Sequence, residues 1–174
     1  MRFDRAPVTA LLVLAALAAI QAVHYYPQLP DTLATHFGPN GEPNGWSEKG
    51  PFVLTYSIIE ALVVGFGLAL AFMLERIPAW MVNIPHRDYW MAPERRRETA
   101  EFLGNQILWI EAATLLFLMA VTQLIYVKNL GDAPPRFSGD FWYILGAFVA
   151  ATLWLTVRII LRFRKREPEG PVGV

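Results

Sequence analysis

Apolar residues in this chain fall into four long blocks and do not follow the 3.6-residue or 2-residue period of amphipathic elements. The blocks run from Pro7 to Tyr26, Phe52 to Leu74, Ile107 to Val127 and Phe141 to Phe163. Each is apolar around its whole circumference, as a helix surrounded by lipid must be. About 20 such residues at 1.5 Å each cross roughly 30 Å of hydrocarbon. The pattern therefore predicts an all-α integral membrane fold, a bundle of four transmembrane helices forming a single domain over 1–167. A polar loop at 27–50 is expected to be structured, an amphipathic connection fills 75–103, and 168–174 is expected to be a flexible tail.

The first block follows Arg2 and Arg5 and contains Ala16-Leu17-Ala18, features shared with a cleavable signal. Its apolar stretch is long for a signal, so it is expected to stay as the first span. Lys and Arg side chains set the orientation. Twelve lie beside the amino terminus, the middle connection and the tail, against only Lys49, Lys128 and Arg136 on the opposite side. Both termini and the 75–103 connection are therefore expected in the cytoplasm. Aromatic anchors agree: Tyr25, Tyr26, Trp46, Tyr126, Trp142 and Tyr143 gather at the expected outer interface, and Trp80, Tyr89 and Trp90 at the inner one.

Composition narrows the chemistry. With 55% hydrophobic and 17% charged residues and no formal net charge, the chain has no basic face for nucleic acid. The absence of Cys removes disulfides, thiolate metal sites and Cys nucleophiles. A phosphate-binding Gly loop, a His pair at ligand spacing and a nucleophilic triad are all lacking, so no catalytic residue, metal or cofactor is assigned.

In the 27–50 loop, Asn40-Gly41 and Asn44-Gly45 read as turn dipeptides. A compact folded-back loop follows, either a solvated lid or a recognition surface built from Asp31, His36, Phe37, Trp46 and Lys49. One His with Asp31 or Glu42 at irregular spacing is a poor zinc set. In the middle connection, Asn83, Tyr89, Trp90, Glu94 and Arg95 are candidate contact residues. Pro93 and Glu94 suit the first turn of a helix running through Arg97 and Phe102 into the third span. Ahead of it, Trp80, Met81, Val82 and Ile84 are expected at the interface, with Arg87 and Arg95 to Arg97 toward anionic headgroups.

Ionisable residues within the spans are the strongest chemical signal, because insertion of an acidic side chain at mid-membrane costs roughly 2.5–3.5 kcal/mol. Glu60 and Glu111 are the candidates, with Gln106, Thr114, Thr122 and Gln123 as polar helpers. By helical rise their depths differ by about 8–12 Å. Arg158, about 25 Å along the last span, is either an ion-pair partner for Glu111 or a side chain that snorkels to the headgroups.

The stretch Leu29-Pro30-Asp31, His36-Phe37, Gly41, Trp46 and Lys49 resembles domain of unknown function 1648, the amino-terminal module of bacterial membrane proteins similar to the Sdp toxin immunity protein. Asn83-Ile84-Pro85, Tyr89-Trp90 and Pro93-Glu94-Arg95 also resemble the cytoplasmic connection of single-module members. The resemblance implies a small bacterial inner-membrane protein, in one branch protecting its producer from a secreted toxin and taking part in signalling. A second membrane module like that of the immunity proteins is not expected in this chain.

The leading expectation is a non-enzymatic membrane protein whose outer loop recognises an envelope peptide, lipid or protein. The alternative is a small transporter or accessory subunit using Glu60, Glu111 and Arg158. A third reading makes His36 and Asp31 the acid and base of an envelope enzyme. Partners are the bilayer and an envelope peptide or protein, with a homo-oligomer or a larger membrane complex left open.

Overall fold

A computed structural model describes residues 4–131, 133–137 and 139–164. Arg2, Lys165, Arg166 and the expected tail at 168–174 lie outside the described residues. Four helices are long and apolar enough to cross a membrane: α1 (Arg5–Tyr25), α2 (Lys49–Met73), α4 (Arg96–Leu130) and α5 (Asp140–Arg164). The short α3 (Arg87–Trp90) and a single 3-10 turn at Ala79–Met81 lie between α2 and α4.

Proline sets several boundaries. Pro7 and Pro51 sit in the first turns of α1 and α2, where a missing N–H leaves no bond unmade. Pro27 follows α1, and Pro78 follows the last turn of α2. The helix expected to begin at Pro93 begins at Arg96. Residues 92–95 form a turn instead, with Arg95 and Arg96 N–H groups both donating to the Ala92 carbonyl at 3.0 and 2.9 Å. From there α4 runs unbroken for 35 residues, about 52 Å, and so carries the third span and much of the connection on one rod.

The 27–50 loop corrects the all-α expectation. Strands β1 (Thr32–Phe37) and β2 (Pro43–Glu48) pair antiparallel into a hairpin. Gly41, at φ 79°, makes the turn. Asn44-Gly45, read as a second turn, lies inside β2 opposite a bulge, where His36 pairs with Gly45 and the register shifts on either side. Turn chemistry at Asn-Gly marked a place where the backbone departs from ideal pairing, though not a reversal.

Helix α4 is the hub. It packs on α1, α2 and α5, and α1 packs on α2, whereas α5 among the spans packs substantially only on α4. The bundle is thus a three-helix core with α5 laid along the far side of α4. Three apolar clusters stack along it. Leu29, Leu33, Phe52, Ile125 and Tyr126 close the hairpin end. Leu11, Ala71, Leu108, Ala112 and Leu115 fill the middle. Leu74, Val82, Trp90, Met91, Leu103 and Phe163 close the opposite, arginine-rich end.

Tyr126 and Trp90 are therefore core residues, 3% and 4% exposed, although both had been expected as interfacial anchors. Trp46, Trp80, Trp142 and Tyr143 do lie on the surface.

Candidate functional site

The hairpin is fastened from several directions. Along the outer edge of β1, Ala34 N–H donates to Asn129 Oδ1 at 2.8 Å and Asn129 Nδ2 donates back to the Ala34 carbonyl at 2.9 Å. An amide side chain on α4 thus imitates one residue of a neighbouring strand. At the tip, Phe137 N–H donates to the Gly41 carbonyl at 2.9 Å, Phe37 stacks on Phe137 at 4.0 Å, and Arg136 pairs with Glu42 at 3.6 Å. A Cβ on Gly41 would collide with the Phe137 carbonyl, so that position needs glycine for space as well as for its φ.

At the base, Lys49 Nζ lies 3.0 Å from Asp31 Oδ1 and donates to the Leu29 carbonyl at 3.3 Å. Its backbone N–H donates to the Asp31 carbonyl at 3.0 Å.

These contacts divide the predicted recognition residues. Phe37 and Lys49 hold the hairpin to the bundle, and Asp31 is the partner of Lys49. The other two face outward. Along β2, Asn44, Trp46 and Glu48 alternate with half-buried neighbours and so share one exposed face. His36 joins them, its Nδ1–H donating to Asn44 Oδ1. Trp46 is 60% exposed. The exposed face of the hairpin is therefore a patch of indole, imidazole, amide and carboxylate. Asn129, Arg136 and Phe137 were missed in the sequence because they belong to the end of the third span and the following connection, nearly 100 residues from their partners. Only the polar amide closing an apolar run marked Asn129.

Within the spans, Glu60 is buried, 8% exposed, and makes no hydrogen bond among the described residues. It lines a cavity of about 390 Å³ between α1 and α2, beside Ser57, Ala15, Ala18, Ala19 and Gly65. Glu111 packs on α2 at Gly67, where a Cβ would come within 2.5 Å of its Cγ. Gly67 lies seven residues beyond Glu60, so the two carboxyl groups are separated by roughly 10 Å along the axis.

The Glu111 to Arg158 pair is not formed: Arg158 is exposed and stacks over Trp154, 4.8 Å from the ring centroid. The guanidinium lines the flank where α5 meets α4 and α1, away from the α2–α4 contact that holds Glu111.

The polar helpers also divide. Thr122 and Gln123 join Gln21 and Tyr25 in a network pinning α1 to α4. Gln21 Nε2 donates to Gln123 Oε1 at 2.8 Å, and Thr122 Oγ1 donates to Gln21 Oε1 at 3.3 Å. Gln123 Nε2 donates to the Tyr25 hydroxyl at 2.5 Å. Thr114 bonds its own helix at Ile110. Gln106, by contrast, has a buried Oε1 with no partner among the described residues.

At the arginine end the middle connection folds inward. Trp90 Nε1 donates to the Phe163 carbonyl at 3.2 Å, and Thr99 Oγ1 to the Trp90 carbonyl at 2.8 Å. Arg95 donates to the Tyr89 carbonyl at 3.0 Å and lies over the Tyr89 ring at 3.8 Å. Arg96 reaches the Glu75 and Ile77 carbonyls at 3.1 and 2.6 Å, satisfying acceptors left open where α2 ends. Of the run expected to face headgroups, Arg95 and Arg96 are thus spent on backbone carbonyls, and Arg97 alone is exposed, paired with Glu101. Val82 likewise turns into the core, while Trp80 and Met81 stay outside. Asn83 and Glu94 are exposed.

A family model described as Domain of unknown function (DUF1648) matches residues 12–59. The matched stretch runs from Leu12 in α1 through the whole hairpin to Ile59 in α2, so the similarity to domain of unknown function 1648 takes in every outward residue of the β2 face. The 83–95 connection and Glu111 lie outside it. No curated protein and no solved structure matches the chain. Among the described residues no cluster of His, Asp and Glu could hold a metal ion.

Proposed function

We propose that this is a small multi-pass protein of the bacterial inner membrane, non-enzymatic, with both termini in the cytoplasm, and that its hairpin recognises an envelope peptide or protein. Four helices long and apolar enough to span a bilayer support the membrane reading. The uneven distribution of Lys and Arg supports the orientation.

One observation carries the recognition reading. The hairpin is tied at its edge, tip and base, yet its outward face presents Trp46, His36, Asn44 and Glu48, none of which fastens it to the helices. A fixed backbone lowers the ordering cost of binding, and an exposed Trp on it supplies the large apolar contact area that binding hot spots use.

The second reading, a small transporter or accessory subunit, rests on Glu60, buried in a cavity between α1 and α2 without a hydrogen bond among the described residues. Survival and binding assays on cells challenged with envelope-active peptides, and under an imposed proton gradient, separate the two. Loss confined to His36→Ala and Trp46→Ala is the expected result. Loss confined to Glu60→Gln and Glu111→Gln would replace recognition with transport, and an unaltered phenotype in all four variants would leave only a structural subunit.

A further inference from the structure

The separation of α5 from α1 leaves an open cleft on the flank of the bundle. Its volume is about 480 Å³, and its walls come from three helices: Ala10 and Leu14 of α1, Ala113 of α4, and Ala151, Leu155 and Arg158 of α5. Apart from Arg158 and the two indoles of Trp109 and Trp154, the lining is aliphatic. At the arginine end a second cavity of about 620 Å³ is bounded by Phe102, Arg158, Leu161, Arg162 and Arg164. Arg158 belongs to both, so the apolar cleft and the cationic mouth adjoin at that side chain.

Charge in that mouth is only partly compensated. Arg162 pairs with Glu98 at 2.5 Å and lies over the Trp90 and Phe102 rings. Arg158 is held over Trp154, and among the described residues neither Arg158 nor Arg164 pairs with a carboxylate. Depth fits as well. Arg158 lies eighteen residues from Asp140, roughly 27 Å along α5, which is close to the full thickness of a hydrocarbon core and so near the level of lipid phosphates.

We propose that the α1/α4/α5 cleft and its arginine mouth form a binding site for one anionic phospholipid, with an acyl chain along the small-residue cleft and the phosphate among Arg158, Arg162 and Arg164. A single molecule of that kind satisfies both halves of the site. A soluble phosphate would leave the apolar cleft empty, and a neutral lipid would leave the uncompensated guanidinium groups without an anion. Basic pockets between helices at a membrane face bind acidic headgroups by this combination of charge and apolar enclosure. The site goes beyond the hairpin reading and does not depend on it.

Native mass spectrometry of the full chain released from detergent tests the site, with phosphatidylglycerol and phosphatidylcholine of identical acyl chains offered in equal amounts. The expected result is a preference for the anionic lipid of roughly tenfold. In the double variant Arg158→Gln, Arg164→Gln that preference falls toward unity, whereas Arg158→Lys keeps it. Ala113→Phe, which fills the cleft and leaves the mouth intact, loses adducts of both lipids.

Equal retention of the two lipids by the unmodified protein would overturn the proposal in favour of unspecific annular lipid. Full displacement of phosphatidylglycerol by inorganic phosphate would overturn it in favour of a plain anion site. Lipid adducts found only on a dimer and unaffected by Ala113→Phe would place the lipid between copies of the chain. None of these variants touches His36 or Trp46, so recognition by the hairpin succeeds or fails separately.

Discussion

Replacing Asn129 with alanine removes both hydrogen bonds that fasten β1 to the end of α4. Ala34, whose N–H and carbonyl are the partners, is 2% exposed, so water does not readily take the place of the lost amide. Leaving a buried backbone donor or acceptor unpaired costs about 1–3 kcal/mol each. Partial relaxation of a hairpin at the rim of the bundle argues for the lower half of the sum, about 2–4 kcal/mol. At 1.4 kcal/mol per factor of ten, the lower bound alone raises local opening by about 30-fold.

Amide hydrogen exchange followed along β1 reads that opening directly, because the Ala34 N–H is one of the two groups released. Asn129→Asp should fall between, since a carboxylate still accepts from Ala34 N–H but cannot donate to the Ala34 or Ile125 carbonyls. Protection at Ala34 in Asn129→Ala within threefold of the unmodified protein would refute the view that this amide anchors the hairpin.

Four further substitutions test other parts of the framework. Gly41→Ala places a Cβ at positive φ and against the Phe137 carbonyl, and should destabilise the tip by about 2 kcal/mol or more, measured as faster protease cleavage between 38 and 42. Arg96→Ala removes two charge-assisted hydrogen bonds at the end of α2 and should cost about 2 kcal/mol in a denaturant titration, whereas Arg97→Ala, which breaks an exposed i,i+4 pair, should stay within about 0.5 kcal/mol. Equal losses in the two would contradict the inward role of Arg96. Gln106→Leu takes away a buried acceptor with no partner and should raise the unfolding midpoint, by about 1 kcal/mol of stability; a clear loss would reveal a bond to an unseen donor.

The four long apolar helices were legible because a helix suited to lipid needs apolar residues on every side, a signal that requires no knowledge of tertiary contacts. Their lengths were less so. Hydropathy locates where a helix meets hydrocarbon and not where its hydrogen bonding stops. Thus the third block, read as Ile107 to Val127, turned out to be the middle of a helix from Arg96 to Leu130. The hairpin was legible only as a compact loop. Its second strand is Pro-Asn-Gly-Trp-Ser-Glu, a sequence with little strand propensity, and it is held by pairing with β1, by Asn129 on the far edge of that strand and by Phe137 at the turn.

Side-chain roles were harder still, because residue type reports what a group can do and only packing reports whether its capacity is already used. Lys49, Phe37, Trp90 and Arg95 all had the chemistry of contact residues, and each is spent within the chain: on Asp31, on Phe137, on the Phe163 carbonyl, on the Tyr89 carbonyl. Arg158 was read from depth alone as either a partner for Glu111 or a side chain reaching the headgroups, and its position about the helix axis puts it over Trp154 on the α4 flank, away from Glu111. The remainder is what matters for function. His36 and Trp46 on the hairpin, Glu60 in its cavity and Arg158 at the mouth of the cleft keep hydrogen-bonding or stacking capacity that the fold leaves unused. At the hairpin, unused capacity sits on backbone tied at its edge, tip and base, which is the arrangement that the proposed recognition requires.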